Sequence, residues 1–334
     1  MSEKFDLLGL GNAIVDIVAE VSENEFLKLG FEKASMRLVD IDQQKALIEN
    51  FSDRNLSLSS GGSVANSVMV FSGLGGKAAF KCCIGDDPYG LHYAAELEQN
   101  NIKLGAPIIA GATTGTCFVL TTPDGERTMR TSLGVSGSFS QEHLDPEIIA
   151  NSRWIFIEGY LLANADTGQQ AVRRAVQLAR QNDTKVAVTC SESWVIESFR
   201  DEVEWVIERS DLVFANELEA MSLSRESSVE AAFQRLCESC TSVVVTMGSK
   251  GALVQHGEEN VHVPAFKCNP RDLTGAGDAF AGTFLYGLVT GQSAYDSARA
   301  GCFIASKVIE HLGARLQTGV KELWNELKNH ETAH

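Results

Sequence analysis

The sequence predicts an α/β fold: a mainly parallel central sheet with helices on both faces, and a small β lid beside it. Three observations point there. From Trp154 onward, apolar runs of strand length at 154–158, 185–189, 212–215 and 242–246 are separated by helical stretches at 166–181, 194–209 and 216–238. Strands that alternate with helices in this way form parallel sheets buried on both faces. Residues 106–133 break the rhythm, alternating as strands around the turn Pro123-Asp124-Gly125-Glu126. Finally, the chain has 334 residues, 44% hydrophobic and 22% charged, which suits one large domain or two modest ones and excludes general disorder.

The remaining elements follow in order. Residues 5–10 read as a buried strand and 14–21 as a second apolar stretch, followed by a short helix at 23–29 and a strand at 35–39. Asp40 is placed to cap a helix reaching Phe51. After Gly61-Gly62, Val64, Val68 and Phe71 share one face of a helix. A strand at 78–84 and a helix at 90–99 add another β-α step, a hairpin covers 251–263, and helices at 275–290, 293–310 and 318–328 close the chain. Right-handed crossovers between the parallel strands follow from strand twist. The two strand-rich pieces, 15–40 and 106–133, are predicted to meet as one discontinuous lid on a large unit made of 1–14, 41–105 and 134–334.

Charge and composition exclude several classes. Lys plus Arg is 28 against 44 for Asp plus Glu, a net charge of −16. So acidic a chain is predicted to bind neither nucleic acid nor an anionic membrane. Any bound anion must be met by local main-chain N–H groups or a few placed cations. No apolar run approaches the roughly 20 residues of a spanning helix. The start, Met1-Ser2-Glu3-Lys4-Phe5-Asp6, carries no basic-then-apolar secretion pattern. Eight cysteines lie at irregular spacing, with one C-x-x-C at Cys237/Cys240 and no second pair or nearby His. Buried thiols in a reducing cytoplasm are expected rather than a zinc site, with a redox pair at 237/240 as the alternative. Gly9-Leu10-Gly11 opens like a dinucleotide fingerprint, but Ile14 fills the position of the third glycine and blocks close helix–strand contact. Nor is there a P-loop: Gly76-Lys77 is followed by Ala78, with Phe71 where the first glycine belongs.

The strongest local signal is Asp272-Leu273-Thr274-Gly275-Ala276-Gly277-Asp278, ahead of a helix with Phe280, Phe284 and Leu288 on its apolar face. Gly275, Ala276 and Gly277 then fall at a helix N-terminus, where N–H groups without intrahelical partners and the macrodipole hold an anion. Asp278 in the first turn either complements the dipole or accepts a proton from an attacking hydroxyl. Gly61-Gly62 lets a ligand approach the backbone, and Asn66 one turn later offers both a donor and an acceptor. Asn12 and Asp16 flank a strand end; Asp16 interrupts an apolar run and needs partners, which vicinal sugar hydroxyls would supply. Thr246, Gly248 and Gly251 follow a strand, as suits a nucleotide at a sheet's carboxyl edge. Asn216 and Glu219 either cap their helix or steer Mg²⁺ through water.

Taken in order, Gly11-Asn12-Ala13-Ile14-Val15-Asp16, Gly61-Gly62 with Asn66, Asn216-x-x-Glu219, Thr246-x-Gly248-x-x-Gly251 and Asp272-x-Thr274-Gly275-Ala276-Gly277-Asp278 resemble the ribokinase-like family, the PfkB carbohydrate and nucleoside kinases. The resemblance runs essentially end to end. It implies a ribokinase-like three-layer α/β/α sandwich whose β lid covers the sugar site, and ATP-dependent phosphorylation of a primary hydroxyl with Mg²⁺. On that basis Asp278 is the base and Gly275, Ala276 and Gly277 form the anion hole. Asn12, Asp16, Gly62 and Asn66 hold the sugar, while Asn216, Glu219, Thr246, Gly248 and Gly251 serve Mg-ATP. Asp272 and Thr274 resemble a site for a monovalent cation, K⁺, although Leu273 replaces the usual small residue. Phe214 to Ala220 and the Arg299-Ala300-Gly301 region lean towards the adenosine kinases. The expected reaction is therefore adenosine to AMP, with a free-sugar kinase (ribose or fructose) as the alternative and a non-catalytic sensor as a third reading. Phe118, Met129 and Leu133 are candidates for a base pocket, and Arg127 and Arg130 for phosphate contacts on lid closure.

Overall fold

The structure, a computed structural model, describes residues 3–331 except 34, 55, 106–107 and 317–318. Residues 34, 106 and 107 of the predicted lid, and Thr318 at the head of the predicted last helix, lie outside the described residues. The strands are β1 (Phe5–Leu10), β2 (Ile14–Glu20), β3 (Met36–Leu38), β4 (Ser57–Gly61), β5 (Ala78–Lys81), β6 (Ile102–Leu104) and β7 (Gly115–Thr121). They continue with β8 (Arg127–Ser132), β9 (Ser152–Glu158), β10 (Lys185–Thr189), β11 (Leu212–Asn216), β12 (Ser242–Thr246), β13 (Ala252–His256) and β14 (Glu259–Val263).

Nine strands form the main sheet in the order β14-β13-β12-β11-β10-β9-β1-β5-β6. It is parallel from β12 to β6, with the β13–β14 hairpin added antiparallel at one edge. Alternation along each strand divides the core. Leu8, Ile155, Ile157, Val186 and Val213 face one layer of helices, including Gly168–Gln181. Leu7, Phe156, Ala187, Phe214 and Val244 face the other, where Phe280 and Phe284 of the helix Ala276–Val289 pack with Val64 and Val68 of the helix Ser63–Gly73. The predicted helix at 216–238 is two helices, Glu217–Ser224 and Val229–Ser239, because Arg225 takes a left-handed conformation with φ +61° that stops the first. The stretch 194–209 likewise divides into Ser193–Ser198 and Arg200–Ile207.

A second sheet of five strands runs β3-β8-β7-β2-β4. It draws on both strand-rich pieces and also on β4, which the sequence division left with the large unit. The Ser-Leu-Ser-Ser-Gly strand has too little apolar alternation to announce itself, and is placed by antiparallel pairing with β2 (Asp16 opposite Ser59). One face of this sheet buries Ile17, Ala19, Phe118 and Leu120 against Phe26 and Phe51. By the period of two, Asp16, Cys117 and Thr131 align on the opposite face, with Met129 and Arg127 further along β8.

Candidate active site

Strand order reverses at β1: the chain leaves it towards β5 on one side and β9 on the other. Ligands of open α/β sheets bind outside the carboxyl ends of the strands at such a reversal. Here the two strands end at Leu10 and Glu158. Asn12, two residues past β1, donates from its side-chain Nδ2 to Glu158 Oε1 at 2.8 Å, and Val64 N donates to Glu158 Oε2 at 3.2 Å. Burial pushes the Glu158 carboxyl up to about 7, against those donations. Gly62 caps the following helix at φ +103°, and a Cβ there would stand 2.2 Å from the Asn12 carbonyl oxygen, so the close approach of these two segments requires glycine.

Asp278 lies in the first turn of the helix Ala276–Val289. Ser63 Oγ donates to its Oδ1 at 2.6 Å and Asn66 Nδ2 to its Oδ2 at 2.8 Å. Burial raises the carboxyl above its ordinary range, and these two donors and the nearby Arg315 hold it back. The helix begins at Gly275, with φ +79°. Ala276 N–H turns back to Leu273 O at 3.3 Å. That differs from the expectation of three free amides, and among the described residues Gly275 and Gly277 keep N–H groups with no acceptor. A Cβ added at Gly277 would meet nothing within 4 Å. A cavity of about 160 Å³ opens there, bringing Gly277 and Asp278 together with Asn216, Glu219 and Thr246.

Asp16, on the Cys117 and Thr131 face of β2, is not among the cavity residues but has Arg127, Arg315 and Asp272 as its charged neighbours. Among the described residues no donor hydrogen-bonds its carboxylate, and the nearest cation is Arg127 Nη2 at 4.0 Å. Burial pushes the carboxyl up to about 6, with Arg127 and Arg315 opposing the rise. A half-buried acceptor in this state is suited to hydroxyl donors from a ligand.

Comparison with known proteins follows the same outline. Residues 34–319 match pfkB family carbohydrate kinase. The chain belongs to the pfkB family. It is accordingly a phosphotransferase with an alcohol as acceptor. It is 28% identical over 337 residues to adenosine kinase 1 of Arabidopsis thaliana, covering 93% of this chain and 96% of that one. It is 26% identical over 290 residues to the ribokinase of Haemophilus influenzae, covering 84% and 91%. The solved adenosine kinase of Sinorhizobium meliloti superposes with a TM-score of 0.88 at 29% identity, over 97% of this chain and all 100% of that one.

Within this pfkB kinase the other predicted residues fall unevenly. Asn216 and Glu219 form a complete capping box: Glu219 N donates to Asn216 Oδ1 at 2.9 Å, and Asn216 N and Nδ2 donate back to the Glu219 carboxylate at 3.0 and 2.7 Å. Glu219 still lines the cavity, and burial pushes it up to about 7. Gly248 and Gly251 bracket the turn from β12 into β13 and are not among the cavity residues. The side chains of Asp272 and Thr274 do not fit a cation site. Asp272 already accepts from Arg127 Nη1 at 3.0 Å, Gly313 N at 2.8 Å and Thr274 N at 3.0 Å, and Thr274 Oγ1 accepts from Arg127 at 2.8 Å. A guanidinium from the second sheet supplies positive charge there. Arg130 is occupied elsewhere, lying 4.2 Å from the centroid of the Phe31 ring and donating to Ser35 O at 3.2 Å. Phe118 belongs to the core of the second sheet, one residue out of phase with the cleft face, whereas Met129 lies on that face.

Glu158, Ser63 and Arg315 were not singled out from sequence. Glu158 had a signal, a carboxylate closing the apolar run Trp154-Ile155-Phe156-Ile157. Ser63 sits one residue beyond Gly62. Arg315 had no local signal at all.

Proposed function

We propose that this kinase transfers the γ-phosphoryl group of ATP to the 5′-hydroxyl of adenosine, giving AMP and ADP. The observation that carries the reading is the placement of Asp278, hydrogen-bonded from the Ser63–Gly73 helix on the acceptor side and opening onto the cavity of Asn216, Glu219 and Thr246 on the other. The choice of adenosine is supported by likeness to adenosine kinases over nearly the whole chain. A free-sugar kinase is the alternative, supported by the ribokinase relative.

The acceptor's ring lies between Asn12, Gly62 and Asp16, whose carboxylate meets Arg127 at 4.0 Å but has no hydrogen-bond donor among the described residues and so accepts from two ring hydroxyls. Asp278 accepts the 5′-hydroxyl proton as that oxygen bonds to the γ-phosphorus and the bond to the β-phosphate oxygen breaks, so ADP leaves with the electron pair. The amides of Gly275 and Gly277, at the positive end of the helix, stabilise charge on the transferring group. Asn216 and Glu219 would hold Mg²⁺ through water; bound, it neutralises phosphate charge. The second sheet acts as the lid, and Arg127 ties it to the Asp272 loop, excluding water that would otherwise hydrolyse ATP.

A coupled assay of ADP release with adenosine, ribose and fructose tests the substrate. Adenosine is expected to give by far the highest kcat/KM; a clear preference for a free sugar would transfer the reading to the alternative. Asp16 gives a second expected result. Its carboxyl titrates near 6, and only the ionised form accepts from both hydroxyls, so acceptor KM should rise as pH falls through about 6. Asp16→Asn should raise acceptor KM by about 10- to 100-fold at pH 8 and flatten that pH dependence, since charge-assisted hydrogen bonds are the stronger class. An unchanged KM in the variant would remove Asp16 from the acceptor site.

A further inference from the structure

Arg315 stands in the turn after the helix Ala294–Val308, outside every motif read from the sequence, yet its side chain is only 11% exposed. Its Nε donates to Asn66 Oδ1 at 2.6 Å and its Nη1 to Glu96 Oε1 at 3.2 Å. Glu96 is fixed in turn, with Oε2 accepting from Ser60 N at 3.1 Å and lying 3.6 Å from His92 Nε2. Asn66 is thus gripped at both ends, by a guanidinium at its oxygen and by the Asp278 carboxylate at its nitrogen. A guanidinium only donates and an ionised carboxylate only accepts, so the amide between them has one permitted orientation.

We propose that Arg315 is the positioning residue of the phosphoryl-transfer site: through Asn66 it fixes the Asp278 carboxylate in the orientation that faces the acceptor hydroxyl. It does so from outside the Gly-Ala-Gly-Asp segment, and it ties the carboxyl-terminal turn to the acceptor side of the cleft through Glu96 and Ser60. Without Arg315 the Asn66 amide loses the contact that anchors its oxygen, so the side chain is free to shift and carries the Asp278 carboxylate with it. Arg315 Nη2 is buried and has no partner among the described residues, so the group is held by two directed contacts rather than by a closed network. Misplacement of a reacting group by about 1 Å costs on the order of 100-fold in rate.

The inference rests on the reading of Asp278 as general base, and the two fail separately. If Asp278→Asn keeps near-normal turnover, that reading falls. If Asp278→Asn is inactive but the Arg315 variants behave as the parent, only this inference falls. The test is a double-mutant cycle of Arg315→Met and Asn66→Ala, with Arg315→Lys beside it, measuring kcat, acceptor KM and the acid limb of the pH–kcat profile. At pH 8, where Asp16 stays ionised, Arg315→Met is expected to lower kcat by roughly 10- to 100-fold with acceptor KM within about threefold. Its acid limb should move to higher pH, because a positive charge that favours the ionised carboxylate is gone. The other groups facing Asp278 are Ser63 and Asn66 from the Ser63–Gly73 helix, Glu158 from β9, Tyr160 just after it, and Glu219. They are common to parent and Arg315→Met, so the displacement between those two reports Arg315. Arg315→Lys, which keeps the charge but not the fork, should restore the limb and only part of kcat. On the plateau of the pH profile, Arg315→Met in the Asn66→Ala background should cost no further kcat, since there the two act in series. Parental kcat in Arg315→Met, an unmoved acid limb, or losses that multiply in the double variant would each overturn the proposal. Should Arg315→Met fail to fold, Arg315→Lys carries the kcat arm of the same cycle, with an unmoved acid limb then the expected result and parental kcat the overturning one.

Discussion

Asp278→Asn is expected to lower kcat by about 10³- to 10⁴-fold, near the upper range for loss of a general base, while ATP and acceptor still bind. The geometry makes this substitution a clean one. Two donors meet the carboxylate, Ser63 Oγ at Oδ1 and Asn66 Nδ2 at Oδ2. The Asn66 amide cannot turn over, since its oxygen is taken by Arg315. The new side chain therefore keeps its oxygen towards Asn66 and presents its NH₂ to Ser63, whose hydroxyl rotates to accept it. Shape and hydrogen bonding survive; the ability to take a proton does not. The effect on stability should have the opposite sign. Burial holds the Asp278 carboxyl above its unfolded-state value, so the folded protein loses stability as pH rises from the unfolded value through the folded one. Above that window the buried charge is a cost that Asn removes, and the melting temperature of Asp278→Asn at pH 8 should equal or exceed that of the parent. Single-turnover kinetics, calorimetric binding of ATP and a thermal melt decide it. A kcat within tenfold of the parent would show that another group takes the proton.

Much of this arrangement was legible because it depends on local chain chemistry. A helix N-terminus announces itself through small residues ahead of an apolar face, and Asp272 to Asp278 carried that signal in seven consecutive residues. The β-α alternation from Trp154 onward fixed the sheet for the same reason. The failures are non-local. β4 has no apolar period of its own and exists because β2 offers it an edge. Phe118 looked like a pocket residue because aromatic character was visible and strand phase was not; one register step separates it from the cleft face. Asp272 and Thr274 looked like cation ligands until Arg127, 145 residues away in sequence from Asp272, was seen to fill their polar atoms. Glu158 and Arg315 reach the site only through tertiary packing, from the carboxyl end of a central strand and from a turn that no motif marks. Sequence spacing describes what a segment can do, whereas these residues are defined by which other segment arrives beside them.

The two glycines at the head of the helix Ala276–Val289 should respond to the same substitution in opposite ways, and the contrast tests the phosphoryl cradle directly. At Gly275 a methyl would stand 2.2 Å from the Ala314 carbonyl oxygen, on a residue with φ +79°. Gly275→Ala should destabilise the fold by about 1–3 kcal/mol from backbone strain alone, and any loss of activity would be mixed with that damage. Gly277 has no positive φ, lies inside the helix, and its added methyl meets no atom within 4 Å. Ala is favoured over Gly by roughly 0.5–1 kcal/mol in a helix interior and by less in this first turn, so Gly277→Ala should melt no lower than the parent. Its methyl, however, projects into the cavity beside Asp278, where the transferring group must approach the main-chain amides. Displacing an anion from such donors costs about 10²- to 10³-fold in rate, and Gly277→Ala should lose that much in kcat/KM with intact stability. A fully active Gly277→Ala would mean that the phosphoryl group does not pass over this helix terminus, whatever the fate of Gly275→Ala.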